Sequence, residues 1–297
     1  MKILITGASG LLGQEVWRVF EKEHELVALG RTQPPQVPSA QWRTVDLSDE
    51  EAVYPLITRE NADLIVHTAA FNDVDGAQKN PDAAYRGNAL ACRNLAVACQ
   101  RFDSILLSVS SDYVFDGQNP PAAGYREFDA CRPLSHYAES KYWGELFVSQ
   151  LLNKFFIVRT SWLFGPGRET WADKAAAAFR DGAPVKAASD MTSAPTYTPD
   201  LAEALLRLAQ SRHYGYYHLT NGGFCSRVQW AEEIGRLTAA NRKNSITSLT
   251  QAQLGLPAPR PRHSGLDNLA WRLDGQTPLR PWQQALAAHF EKVSVAK

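Results

Sequence analysis

In the stretch PLSHYAESKYWGE (133–145), Tyr137 precedes Lys141 by four residues, just behind a proline and a serine. That spacing puts both side chains on one face of a helix, where they would otherwise be an ordinary solvated pair. A free phenol has a pKa of about 10 and is a poor acid–base group at neutral pH. A fixed cation beside it stabilises the phenolate and is expected to bring the pKa toward the working range. Such a tyrosine could hand a proton to a ketone oxygen while a hydride arrives at the carbon. The pair therefore calls for a hydride source elsewhere in the chain.

A place for that source lies at the start. Residues 2–6 (KILIT) form an apolar run, followed by Gly7, Gly10 and Gly13 and a helical pattern to about Lys22. Glycines at a strand–helix junction let the backbone turn tightly against a pyrophosphate, which the unpaired N–H groups of the helix start can bind. The spacing is G-x-x-G-x-x-G rather than the commoner G-x-G-x-x-G, and without a ligand it would serve as a tight turn. The second strand, at about 25–29, ends in ALGRT, with Arg31 and no carboxylate. An acidic residue there suits the ribose of NAD, an arginine the 2′-phosphate of NADP, so NADPH is the expected cofactor. Asp46 and Leu47 follow a third strand at 43–45 and are placed to approach the adenine. A strand at 104–109 runs into Ser110 and Ser111, of which Ser111 is the choice for a hydrogen bond to the ketone. Two serines capping a turn are the plain alternative.

The elements that must position these residues alternate strand and helix, with further strands at 63–67 and 155–159 and a long helix at 82–101. The expected fold is α/β, a Rossmann-like doubly wound parallel sheet covered on both faces, with a smaller, partly interwoven C-terminal substrate lobe. The dinucleotide-binding domain is expected over 1–161, with about 196–220 returning to it, and the substrate lobe over 162–195 and 221–297. Lys+Arg and Asp+Glu are both 31, so no global field draws the protein to nucleic acid or membrane. The N-terminus shows no apolar signal segment and no stretch has the length of a membrane span, so a cytoplasmic protein is expected. The four cysteines lack metal-ligand spacing, and Cys92 and Cys99, seven apart on one helical stripe, read as core.

The glycine pattern, SSDYVFDG (110–117) and the Tyr137/Lys141 pair resemble the extended short-chain dehydrogenase/reductases. More narrowly, RTSWLFGPG (159–167), APTYTPDLA (194–202), YGYYHLTNGGFCSRVQWA (214–231) and PRPRHSGLD (259–267) resemble the dTDP-4-dehydrorhamnose reductase family. The resemblance spans nearly the whole chain. It implies reduction of a 4-keto-6-deoxy sugar nucleotide by NADPH or NADH, in a monomer or homodimer. By position, Tyr137 becomes the proton donor, Lys141 lowers its pKa and binds the nicotinamide ribose, and Ser111 orients the ketone. The cofactor would meet the glycine loop with Ser9, Leu11 and Leu12, then Ala69, Ala70, Asn88, Ser110, Tyr137 and Lys141. The sugar nucleotide would meet Ser111, Asp112, Val114, Trp162 and Arg260, the last at the diphosphate. A core tryptophan and a surface charge are the plain readings of Trp162 and Arg260.

Three positions depart from the family pattern: Ala138 for glycine, Ser111 for threonine, and Asn72-Asp73-Val74-Asp75 for Thr-Ala-Val-Asp. Some members bind Mg²⁺ through carboxylates, of which only Glu15 finds a match, so no metal is assigned. Two other functions fit the same resemblance. One is a regulatory nucleotide-binding subunit like the beta subunit of methionine adenosyltransferase; the other is a different sugar-nucleotide reductase or epimerase.

Overall fold

The computed structural model describes residues 1–238 and 245–295. Its centre is a parallel sheet of seven strands: β1 (Lys2–Thr6), β2 (Glu25–Gly30), β3 (Trp42–Thr44), β4 (Leu64–His67), β5 (Ile105–Ser111), β6 (Phe155–Thr160) and β7 (Gly215–His218). In space they run β7-β6-β5-β4-β1-β2-β3, and every pairing is parallel. The doubly wound α/β expectation is thereby met. The order reverses between β1 and β4, the point where such sheets open a crevice at their carboxyl ends.

Alternation along the strands builds two apolar layers. Ile3 and Ile5 face one side, with Val16 and Phe20 of α1 (Leu11–Phe20). Leu4 and Ile65 face the other, with Leu95 and Cys99 of α3 (Ala91–Phe102), beyond α2 (Glu50–Glu60). Cys92 joins the same layer, so both cysteines of the stripe are core. Leu201 and Leu205 of a later helix (Thr198–Gln210) and Trp271 pack into the first layer. A third cluster, around Phe164, Phe179, Trp230, Trp282 and Phe290, is separate from both. Among the described residues no helix is long and apolar enough to cross a membrane.

Two local departures from expectation concern the site. The long helix of 82–101 is broken by a π-helical stretch at Tyr85–Leu90, before α3 begins. Within it Asn88 accepts from the Phe71 N–H (2.8 Å) and donates to the Phe71 carbonyl (3.2 Å) and to Ser140 (2.9 Å), so an irregular turn serves a tertiary contact. Ser110 and Ser111 are not beyond β5 but are its last two residues, paired with Arg159 and Thr160 of β6.

Two buried carboxylates cross-link the molecule. Glu145, on α4 (His136–Leu151), meets Arg159 of β6 in a two-pronged pair, with Arg159 Nε 3.0 Å from Oε1 and Nη2 2.7 Å from Oε2. Both side chains are almost fully buried. Arg159 also donates to the Glu127 carbonyl and lies against the Phe115 and Tyr216 rings. Asp112, just past β5, accepts hydroxyl hydrogens from Ser111, Ser193 and Ser264, the last two from distant segments. Burial pushes its carboxyl up to about 6, against the pull of these hydroxyls.

Removing one partner of a buried pair strands the other charge, so Arg159→Met or Glu145→Leu alone should lower the unfolding free energy in urea by about 3–5 kcal/mol. The double replacement should be far milder; single variants within experimental error of wild type would contradict the account. A carboxyl raised by folding contributes stability below its unfolded pKa, here 3.8, and that contribution is lost as pH rises through about 6. Relative to Asp112→Asn, the wild type should therefore lose on the order of 1–3 kcal/mol between those limits. Parallel stability curves for the two proteins would refute it.

Candidate active site

Two adjoining cavities lie along the carboxyl edge of the sheet. The first, of about 590 Å³, opens where β1 and β4 diverge. Gly7 has a left-handed φ of 73°, and a Cβ there would stand 2.6 Å from the Ala69 nitrogen. A Cβ on Gly13 would lie 2.0 Å from the Gly7 carbonyl oxygen. Both positions exclude any side chain, so the glycine spacing is forced by close approach of backbone to backbone. Gly10 caps α1 without a side chain, leaving the first N–H groups of the helix free for an anion.

Gly7, Ser9, Gly10, Arg31, Asp46, Leu47, Ala69 and Ala70 all line this cavity. Asp46 accepts from the N–H and hydroxyl of Ser48, both at 2.9 Å, which hold its carboxyl below the usual range; Arg31 and Arg86 add to the effect. The pocket thus has a glycine-lined floor, an arginine just past the end of β2 and, beyond it, the Asp46 carboxylate held by Ser48. Arg86 and Arg168 also line it and were not picked out from the sequence. Arg86 lies in the π-helical stretch, and Arg168 directly follows the RTSWLFGPG stretch. Asn88 does not line the cavity; it holds Phe71, and with it the loop after β4, from behind.

The second cavity, of about 370 Å³, brings Leu11, Leu12, Ser110, Ser111, Asp112, Tyr137, Lys141 and Trp162 together with Gly10 and Gly13. Ser135 caps α4, accepting from the Ala138 N–H at 3.3 Å, so the serine before the tyrosine sets where the helix starts. The hydroxyls of Ser110 and Thr160, on this cavity's wall, are buried without a partner. Ser111 donates to Asp112 Oδ1 at 3.1 Å. Trp162 has a φ of 40°, a strained backbone conformation, and lines the cavity. The departing stretch after β4 is here too, with Asn72 and Val74 on the wall and Asp73 capping the short helix Val74–Lys79.

Three expectations are corrected by the geometry. The Lys141 ammonium donates to the Val109 carbonyl at 2.7 Å, and burial pulls its own pKa down. Burial pushes the Tyr137 phenol above its ordinary value, with the Ser111 hydroxyl opposing and Asp112 and Tyr113 adding to the rise. The lowering expected from helical spacing is overridden because both groups are buried. Val114 is wholly buried beside Phe115, Tyr125 and Leu266, away from the cavity. Arg260 is held by Asp75, Nη1 to Oδ1 at 3.0 Å and Nη2 to Oδ2 at 2.8 Å, so its fork already has a carboxylate. Tyr113, Thr160 and Ser161 line the cavity and were missed, although each sits at a strand end on the same sheet edge as the serines.

A family profile described as the RmlD substrate binding domain matches residues 1–295. The dTDP-4-dehydrorhamnose reductase of Mycobacterium tuberculosis is 36% identical over 292 residues, covering 96% of this chain and 91% of that protein. Among solved structures, a dTDP-4-dehydrorhamnose reductase from Clostridium acetobutylicum superposes with a TM-score of 0.89 at 31% identity, covering 99% of this chain and all of the other. One from Bacillus anthracis, in complex with NADP, gives 0.88 at 32% identity, covering 98% and 99%. With the glycine loop, the Tyr137/Lys141 helix and a match over almost its whole length, the chain belongs to the dTDP-4-dehydrorhamnose reductase family.

Proposed function

We propose that the protein reduces the C4 ketone of a dTDP-4-keto-6-deoxy-L-sugar with NADPH, the activity for which its relatives are named. The observation that carries this reading is the shared wall: Ser111, Tyr137, Lys141 and Trp162 line one cavity with Gly10 and Gly13 of the nucleotide loop. NADPH, when bound, supplies the hydride. The loop from Gly7 to Gly13 and the start of α1 would hold its pyrophosphate, Arg31 its 2′-phosphate, and Asp46 and Leu47 its adenine end.

Tyr137 is the proton donor. Its raised pKa keeps the phenol protonated at neutral pH, which a donor requires. As the ketone oxygen gains charge it becomes an alkoxide, a stronger base than a phenolate, so the proton passes from Tyr137 Oη to that oxygen. The buried Lys141 ammonium, anchored on the Val109 carbonyl, supplies positive charge in a site where water cannot. The Ser111 hydroxyl turns from Asp112 to the ketone oxygen and orients it. Trp162 covers the sugar ring. The cofactor unit is placed over 1–161 with 196–220 and the sugar-nucleotide unit over 162–195 and 221–297; the apolar clusters cross that line at Trp271, packed with the first unit, and at Tyr197, packed with the second.

Tyr137→Phe should lose turnover by about 100-fold or more, the worth of a positioned proton donor, while NADPH still binds with wild-type affinity by fluorescence titration. Wild-type turnover in that variant would remove the assignment. Arg31→Ala should weaken NADPH by at least about tenfold and NADH much less, since only the former carries the phosphate. Equal losses for the two would remove the 2′-phosphate argument.

A further inference from the structure

Arg227 opens α7, the helix Arg227–Thr238, which follows α5 (Trp171–Arg180) and α6 (Thr198–Gln210). Its guanidinium carbon stands 3.7 Å from the centre of the Trp162 ring and 5.0 Å from those of Trp171 and Trp230. The indoles are themselves stacked, Trp162 on Trp230 at 5.6 Å and Trp171 on Trp230 at 5.0 Å. Three aromatic faces from three separate segments thus gather around one cation. Trp162 is also part of the wall of the substrate cavity.

The placement is unfavourable on three counts. A cation at the first turn of a helix faces the positive end of its dipole. Arg227 is half-buried, and burial, with Arg260 nearby, draws its pKa down to about 10. Among the described residues no carboxylate lies within ion-pair distance of it. Asp112 is in electrostatic reach, but its oxygens accept from Ser111, Ser193 and Ser264. Arg260, by contrast, has Asp75 for itself. The indole faces offset part of the cost. Stacking uses the flat face of a guanidinium and leaves its in-plane N–H fork free, the geometry that takes a phosphate in two-pronged fashion. The indole N–H groups of Trp162 and Trp230 are buried and unpartnered as well. The cluster holds donors and a positive charge and lacks an acceptor.

We propose that Arg227 is the phosphate-binding cation of the substrate site, gripping the diphosphate of a nucleotide sugar whose ring lies along Trp162. The proposal rests on the reading of the protein as a sugar-nucleotide reductase. In a pyranose, C1 and C4 lie across the ring from each other. A sugar with C4 at Tyr137 therefore carries its diphosphate away from the phenol, along the indole on which Arg227 is stacked. The role assigned by sequence to Arg260 passes to a half-buried residue set among three indole faces.

The test is isothermal titration of the NADPH-loaded protein with dTDP and with thymidine, which lacks the phosphates. Arg227→Met should weaken dTDP by about tenfold or more, the usual worth of a charge-assisted hydrogen bond, and leave thymidine unchanged. It should raise KM for the keto sugar nucleotide far more than it lowers kcat. NADPH affinity serves as the check on folding. Should the methionine variant fail that check, Arg227→Gln carries the same test, its planar uncharged amide being able to lie on the same indoles. An unchanged ratio of dTDP to thymidine affinity would overturn the proposal and leave the reductase reading standing. A wild-type protein that binds neither dTDP nor UDP would overturn both.

Discussion

Glu145 stands one helical turn beyond Lys141 and about two beyond Tyr137, so whatever fixes Glu145 fixes the helix that carries both. That anchor is Arg159, at the end of the neighbouring strand, in a pair from which water is almost wholly absent. The same guanidinium reaches the Glu127 carbonyl, and through it the segment before α4. Phe115 and Tyr216 wall it in. A pair so enclosed contributes little net stability against an apolar substitute, but it permits only one arrangement of helix on sheet. The proposed reaction needs that single arrangement, because in it the phenol meets a carbonyl held by other elements.

The enclosure has an electrostatic side. A tyrosine and a lysine on an exposed helix would titrate near their ordinary values, and the cation would help the phenolate. Packed between α4, β5 and the Trp162 strand end, each group instead resists charge. Under the proposed reaction the phenol keeps its proton until a base stronger than itself forms beside it.

Much of the architecture could be read from local pattern. The apolar runs of β1, β4 and β5 and the junction glycines state their own backbone demands, and Ser135 marks the start of α4 by its own hydrogen bond. What escaped was set by partners far off in the chain. Arg260 and Asp75 are 185 residues apart, and no spacing rule links them. Val114 belongs to the stretch DYVF, whose one buried turn sends its side chain into the core instead of the cavity. Asn88, given to the cofactor by the family resemblance alone, has an amide that serves Phe71. The tryptophan cluster around Arg227 is drawn from three segments, so nothing in any one of them announces it.

The placement of the four thiols has a practical outcome. Cys92 and Cys99 sit in the sheet layer, Cys225 lies in the cluster with Trp230, and Cys131 accepts from Arg159. Burial raises all four, Cys99, Cys131 and Cys225 to about 12, so the reactive thiolate is scarce at neutral pH. Air oxidation and maleimides find little to attack at Cys92, Cys99 and Cys225, which are buried; Cys131 is only partly covered, so with it replaced a cysteine engineered onto the surface would take a fluorophore or spin label almost alone.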